Sequence, residues 1–123
     1  MRNYTLGFMF SPDKERVLLI KKDRPPFQKD KLNGIGGKEE PEDHSLMSIT
    51  QVREFMEETG INTIVQDWEL FAIITGIETE DKTGTTPGDT YQIHCYRCFS
   101  DKIKNAKKSR IRRTSNFISK AFS

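Results

Sequence analysis

Gly34-Ile35-Gly36-Gly37-Lys38, the acidic stretch Glu39-Glu40-Pro41-Glu42-Asp43 and, further on, Arg53-Glu54-Phe55-Met56-Glu57-Glu58-Thr59-Gly60-Ile61 decide how this chain is read. Ser45 is a suitable N-cap and Gly60 suits the left-handed position past a helix end, so the spacing predicts a helix from Ser45 to Thr59. On a helical wheel Ile49, Val52, Phe55 and Met56 share one arc and are expected to pack on a sheet. Glu54, Glu57 and Glu58, at i, i+3 and i+4, gather on the opposite side with Arg53 as the adjacent cation. Such a face is ordinarily just solvated. Here a Gly-rich segment precedes it by one loop, so backbone groups and a Lys can meet the carboxylates around a polyphosphate. Hard cations such as Mg²⁺ take oxygen ligands and bridge to phosphate oxygens, which makes the face a candidate metal platform.

Outward from this centre, Tyr4 to Phe10 reads as a strand, Ser11-Pro12-Asp13-Lys14 as a turn, and Val17 to Ile20 as a second strand covered on both faces. Residues 22–31, with Pro25-Pro26, read as a loop. Ile61 to Val65 and Trp68 to Ile77 suit two further strands, residues 80–89 a hairpin tip, and Tyr91 to Phe99 a last strand. Strands with one interior helix predict an α+β fold with a mixed sheet.

The segment Arg53 to Ile61 matches R-E-U-x-E-E-x-G-U, where U is a bulky apolar residue, and so resembles half of the Nudix box. Gly36-Gly37-Lys38 resembles the start of the same box. Leu32 to Lys38, with the strands around Tyr4 and Val17, is similar to the MutT branch that acts on oxidised purine nucleoside triphosphates. The resemblance covers roughly residues 3–100. It implies an α/β/α sandwich with the catalytic helix after the Gly-rich loop. It also implies a hydrolase acting on a nucleoside diphosphate linked to a further group, with Mg²⁺ as cofactor and Mn²⁺ as a substitute.

Carried over, the resemblance gives Glu57 and Glu58 to metal, Glu54 to metal or to deprotonating water, and the Gly36 carbonyl to the same coordination. Arg53 orients the carboxylates. Gly37 and Lys38 lie by the phosphates, and Asn33 meets the purine edge or else makes an ordinary Asn-Gly turn. Phe27 is a candidate for stacking on the base or for packing.

Two departures stand out. Counting five residues on from Gly37 puts Asp43 where the box has Glu, while counting back eight from Arg53 lands on Ser45, so the chain carries a two-residue insertion. Asp43, or Glu42, must reach Arg53 across the longer loop to support it. The second departure is the short, atypical C-terminal part, which leaves without assignment the base contacts the family draws from that region.

Composition supports one domain, residues 1–101, with a basic tail, residues 102–123. The body holds 12 Lys and Arg against 18 Asp and Glu; the tail holds 8 Lys and Arg and no acid. A tail of this kind reads as a solvated or weakly helical extension, or as a nucleic-acid contact. Mean hydropathy is −0.68. No apolar run approaches the roughly 20 residues that span a bilayer, and a soluble cytoplasmic protein without a membrane partner is expected. Cys95 and Cys98 lie three apart in a strand and therefore point to opposite faces, so they are expected to be reduced structural thiols.

The resemblance and the departures from it leave three functions open. One is a pyrophosphohydrolase giving monophosphate and pyrophosphate from a triphosphate such as 8-oxo-dGTP. The second is a hydrolase of a dinucleoside polyphosphate, nucleotide sugar or ADP-ribose-like compound. The third is a nucleotide- or nucleic-acid-binding module without turnover. The sequence leaves the oligomeric state open.

Overall fold

The computed structural model describes residues 1–21, 32–79, 87–107 and 110–113. Its strands are β1 (Arg2–Phe10), β2 (Arg16–Lys21), β3 (Leu32–Asn33), β4 (Glu69–Ile77), β5 (Thr90–Phe99) and β6 (Arg110–Arg113), and helix α1 spans Met47–Thr59. Short 3-10 turns occupy Pro41–Asp43, Val65–Asp67 and Asp101–Asn105.

The strands form one mixed sheet in the order β3-β2-β1-β5-β4, with β6 paired to β2. β1 runs parallel to β5 in unbroken register from Arg2↔Tyr91 to Phe10↔Phe99, and the other pairings are antiparallel. The α+β class with a mixed sheet is thus observed, with α1 the one α-helix among the described residues.

The hairpin between β1 and β2 is set by its own side chains. The Ser11 hydroxyl donates to Asp13 Oδ1 (2.6 Å) and accepts from the Arg16 N–H (3.0 Å), while Asp13 Oδ1 also accepts from the Glu15 N–H (3.0 Å). These bonds, the Ser11 hydroxyl first, hold the Asp13 carboxyl below its ordinary pKa. Beyond the hairpin the edge of β1 is shared. β2 takes Met9 and Phe10, and residues 35–38 take Gly7 and Tyr4. That split inserts the glycine segment beside the middle of the sheet.

The core lies between the sheet and α1. Phe55 meets Trp68 edge-on at 4.9 Å, with Met9, Leu18, Ile35, Ile61, Tyr96, Cys98 and Ile103 around them. Val17, Leu18 and Leu19 are all buried, as a strand flanked on both faces requires.

Several expectations are corrected. Ser45 is not the N-cap: it has φ +61°, Leu46 caps α1 in an extended conformation, and no side chain caps the end. The helix does end as expected, with Gly60 left-handed at φ +77°. Met56 is 41% exposed, and the buried face is Met47, Thr50, Gln51, Phe55 and Thr59. Of the expected arc, Phe55 is buried and Val52 packs against the core, while the wheel misses Thr50, Gln51 and Thr59, which are polar and find hydrogen bonds inside.

Residues 61–65 do not form a strand. There the Asp67 carboxylate accepts from the Ile64 N–H (2.9 Å) and Thr63 Oγ1 accepts from Trp68 Nε1 (2.8 Å), which winds the chain into a turn. The solvated or weakly helical reading of the extension gives way over Asp101–Asn105, a 3-10 turn with Ile103 in the core, and over β6.

Cys95 and Cys98 are free thiols. Burial pushes both up in pKa, Cys98 to about 11. The loop with Pro25-Pro26 and Phe27, residues 80–86 of the hairpin tip, and Phe117, Ile118, Ala121 and Phe122 lie outside the described residues.

Candidate active site

The glycine segment is a short antiparallel partner of β1. Gly7 and Ile35 exchange both backbone bonds (2.8 Å each), the Thr5 N–H donates to the Gly37 carbonyl (2.8 Å), and the Glu39 N–H donates to the Asn3 carbonyl (3.0 Å). The carbonyls of Ile35 and Gly37 therefore face β1, and strand alternation turns the Gly36 carbonyl the other way.

Across this bend lies α1. At Gly37 a Cβ would stand 2.5 Å from Glu54 Cδ and 2.6 Å from its Oε1, so only glycine admits the carboxylate at that place. Glu54 is thus not on an open outer face. Its side chain is 15% exposed against 56% for Glu57, and Glu58 is half-buried.

The acidic loop supplies the anchor. Asp43 is 1% exposed, at the end of the Pro41–Asp43 turn. Arg53 donates to it twice, Nε to Oδ1 (3.0 Å) and Nη2 to Oδ2 (2.9 Å). Thr50 Oγ1 (2.8 Å) and the Glu40 N–H (2.9 Å) donate to Oδ2 as well. The Arg53 guanidinium, first among these, holds the Asp43 carboxyl far below the usual carboxylate range.

His44 and Ser45, both left-handed (φ +55° and +61°), fold the longer connection back, and the Leu46 N–H returns to the Asp43 carbonyl (3.0 Å). The rest of the guanidinium spans the site. Nη2 donates to the Lys38 carbonyl (3.1 Å), and Nη1 donates to Glu54 Oε1 (3.0 Å) and Glu57 Oε1 (3.3 Å).

Burial raises the Glu54 carboxyl above its ordinary pKa. Arg53 opposes the rise, and Glu57 and Glu58 add to it. The donors here are oxygens in excess of the one guanidinium that offsets them, which suits a hard divalent cation. The carboxylates do not yet close on a point: among the described residues no three His, Cys, Asp or Glu side chains converge on a metal position. Arg53 draws Glu54 and Glu57 together instead.

Lys38 is exposed and lines a groove of about 430 Å³ with Arg2, Asn3, Glu39, Glu40 and Ser45. Arg2 and Asn3 carry no motif. They reach the site because the end of β1 lies beside the bend, and Asn3 Nδ2 donates to Glu39 Oε1 (3.1 Å). Asn33 sits at the end of β3, where its Oδ1 accepts from the Gly34 N–H (2.8 Å).

The NUDIX domain model matches residues 1–115. The chain belongs to the Nudix hydrolase family. A search of curated proteins finds no match.

Among solved structures, the mMutator MutT protein from Bacillus halodurans superposes with a TM-score of 0.69 at 18% identity, over 97% of this chain and 72% of that one. A MutT/nudix family protein from Enterococcus faecalis gives 0.67 at 17% identity, over 91% of this chain and 43% of its own, so this chain spans less than half of that protein. The NUDIX domain of Shewanella oneidensis NrtR, solved with ADP ribose, gives 0.68 at 15% identity, over 95% and 75%. At these identities the likeness is one of fold. No helix among the described residues is long and apolar enough to cross a membrane.

Proposed function

We propose that the protein is a Mg²⁺-dependent pyrophosphohydrolase that cleaves a nucleoside triphosphate, with 8-oxo-dGTP as the model substrate, to the monophosphate and pyrophosphate. The observation that carries the reading is the pair Glu54 and Glu57 ordered by one arginine, with Glu54 against a glycine bend and Glu58 on the same helix. Glu54, Glu57, Glu58 and the Gly36 carbonyl would hold Mg²⁺ or Mn²⁺, which when bound supplies neutralisation of phosphate charge and a lowered pKa for the attacking water.

The protein's own groups do the rest. Lys38 and Arg2 offset polyphosphate charge at the groove mouth, where Glu39 and Glu40 alone would repel it. Arg53, fixed by Asp43, keeps the Glu54 and Glu57 carboxylates in one orientation. Glu54, whose basicity is increased by burial, accepts the proton of the attacking water as its oxygen bonds to phosphorus and the bridging P–O bond breaks. Gly37 lets that carboxylate approach the phosphate path. Asn33 is the candidate for the purine edge through its amide N–H groups.

A second reading is supported by the likeness to a domain solved with ADP ribose: a hydrolase of an ADP-ribose-like compound using the same carboxylates. A substrate panel with and without Mg²⁺ separates the two. Pyrophosphate release from 8-oxo-dGTP that needs Mg²⁺ and falls in Glu57→Gln by more than the roughly 10–100-fold cost of losing an outer-shell partner supports the first. Turnover of ADP-ribose alone supports the second. Metal-independent or absent turnover across the panel contradicts both.

A further inference from the structure

Helix α1 touches the glycine bend at three places. Gln51 Nε2 donates to the Ile35 carbonyl (3.0 Å), Glu54 lies against Gly37, and Arg53 Nη2 donates to the Lys38 carbonyl (3.1 Å). The Gly36 carbonyl sits between the two carbonyls so held.

Of the three helical residues, Gln51 alone is 0% exposed, on the face toward β1 where an apolar side chain ordinarily sits. Gly7 makes room for it, since a Cβ there would run into the Gln51 amide. Gly7 in turn exchanges both backbone bonds with Ile35, so the Ile35 carbonyl accepts from β1 and α1 at once. The other end of the amide, Gln51 Oε1, is buried with no hydrogen-bond partner among the described residues. An unpaired buried acceptor is costly, and methionine fills a similar volume without one. Packing alone therefore does not account for glutamine at this place. What glutamine adds is a donor aimed at the bend.

We propose that Gln51 is a positioning residue that pins the glycine bend to α1, so that the Gly36 carbonyl holds its place against Glu54, Glu57 and Glu58. This rests on the metal-dependent hydrolase reading given above. Gln51 touches no substrate and acts through the bend.

The test compares the full chain with Gln51→Met and with Thr59→Val. Thr59 is buried on the same helix face, but its hydroxyl serves the helix end, donating to the Phe55 carbonyl (2.7 Å) and accepting from the Ile61 N–H (3.1 Å). Three quantities are read: the thermal midpoint, amide hydrogen exchange at Thr5 and Gly7 without metal, and Mn²⁺ affinity by electron paramagnetic resonance.

For Gln51→Met the expected result is a midpoint near wild type, faster exchange at both amides and Mn²⁺ binding weaker by roughly 10-fold, the scale on which outer-shell partners act. Thr59→Val is expected to lower the midpoint and leave the other two unchanged. Wild-type exchange and Mn²⁺ affinity in Gln51→Met would overturn the proposal. So would Mn²⁺ losses in both variants that simply track their midpoints. If Gln51→Met does not fold, Gln51→Leu, smaller and also without the donor, takes its place. If wild type binds no Mn²⁺ the hydrolase reading falls, while exchange at Thr5 and Gly7 still decides whether Gln51 holds the bend.

Discussion

Asp43 is a carboxylate nearly sealed from water, and what makes that tolerable is a matched set of donors: two from Arg53, one from Thr50 and one from the Glu40 backbone. Removing one side of such a pair strands the other. Asp43→Asn is therefore expected to lower unfolding free energy by about 3 kcal/mol in urea titrations. It also frees Arg53 from its anchor, so turnover should fall with it.

The pH dependence has a definite sign. The folded pKa of Asp43 lies below the unfolded value of about 3.9, so its contribution is complete above that pH and is lost as pH falls further. Wild type should lose stability steeply below about pH 4, and Asp43→Asn should flatten that slope. At this scale the sequence was informative about identity and silent about reach. Counting against the box places Asp43, but nothing in His44-Ser45 announces two successive left-handed residues. Neither is glycine, the residue that ordinarily signals such a turn.

Among the elements, α1 and the segment after it teach opposite lessons. The helix was legible from its period and its closing Gly60, yet of its buried face only Phe55 was, with Val52 packed beside it. Thr50, Gln51 and Thr59 donate to Asp43, Ile35 and Phe55, partners distant or hidden in the sequence. Residues 61–65 read as a strand because Ile, Thr and Val favour one. They are diverted by Thr63 and Asp67, whose side chains bond the local chain and the Trp68 ring. Thr63→Val, which removes the acceptor of the buried indole N–H, is expected to cost about 1–3 kcal/mol. The single Trp68 reports it directly, as an earlier fluorescence transition in urea.

For the whole molecule, the last strand matters most. Arg110–Arg113 looks like part of a solvated basic run, because three charged residues in four hide strand periodicity. Charged residues are nonetheless usual on an edge strand, and β6 pairs with β2 through Leu18↔Ile111 and its neighbours. Just before it, Ile103 enters the core and the Lys107 N–H bonds the Thr59 carbonyl (2.8 Å), so the chain past β5 closes over the end of α1. Ile103→Ala should destabilise the protein by roughly 2–4 kcal/mol in chemical denaturation. An effect below about 0.5 kcal/mol, the scale of surface changes, would contradict the core assignment.

In the proposed function the carboxylates of one helix and the carbonyl of one glycine hold a divalent ion. Diffraction from crystals soaked in Mn²⁺, recorded for its anomalous signal, tests it most directly. The expected result is a peak bound by Glu54, Glu57, Glu58 and the Gly36 carbonyl, with Arg53 still anchored on Asp43. No ion at these oxygens, or an ion bound only elsewhere on the surface, would contradict it.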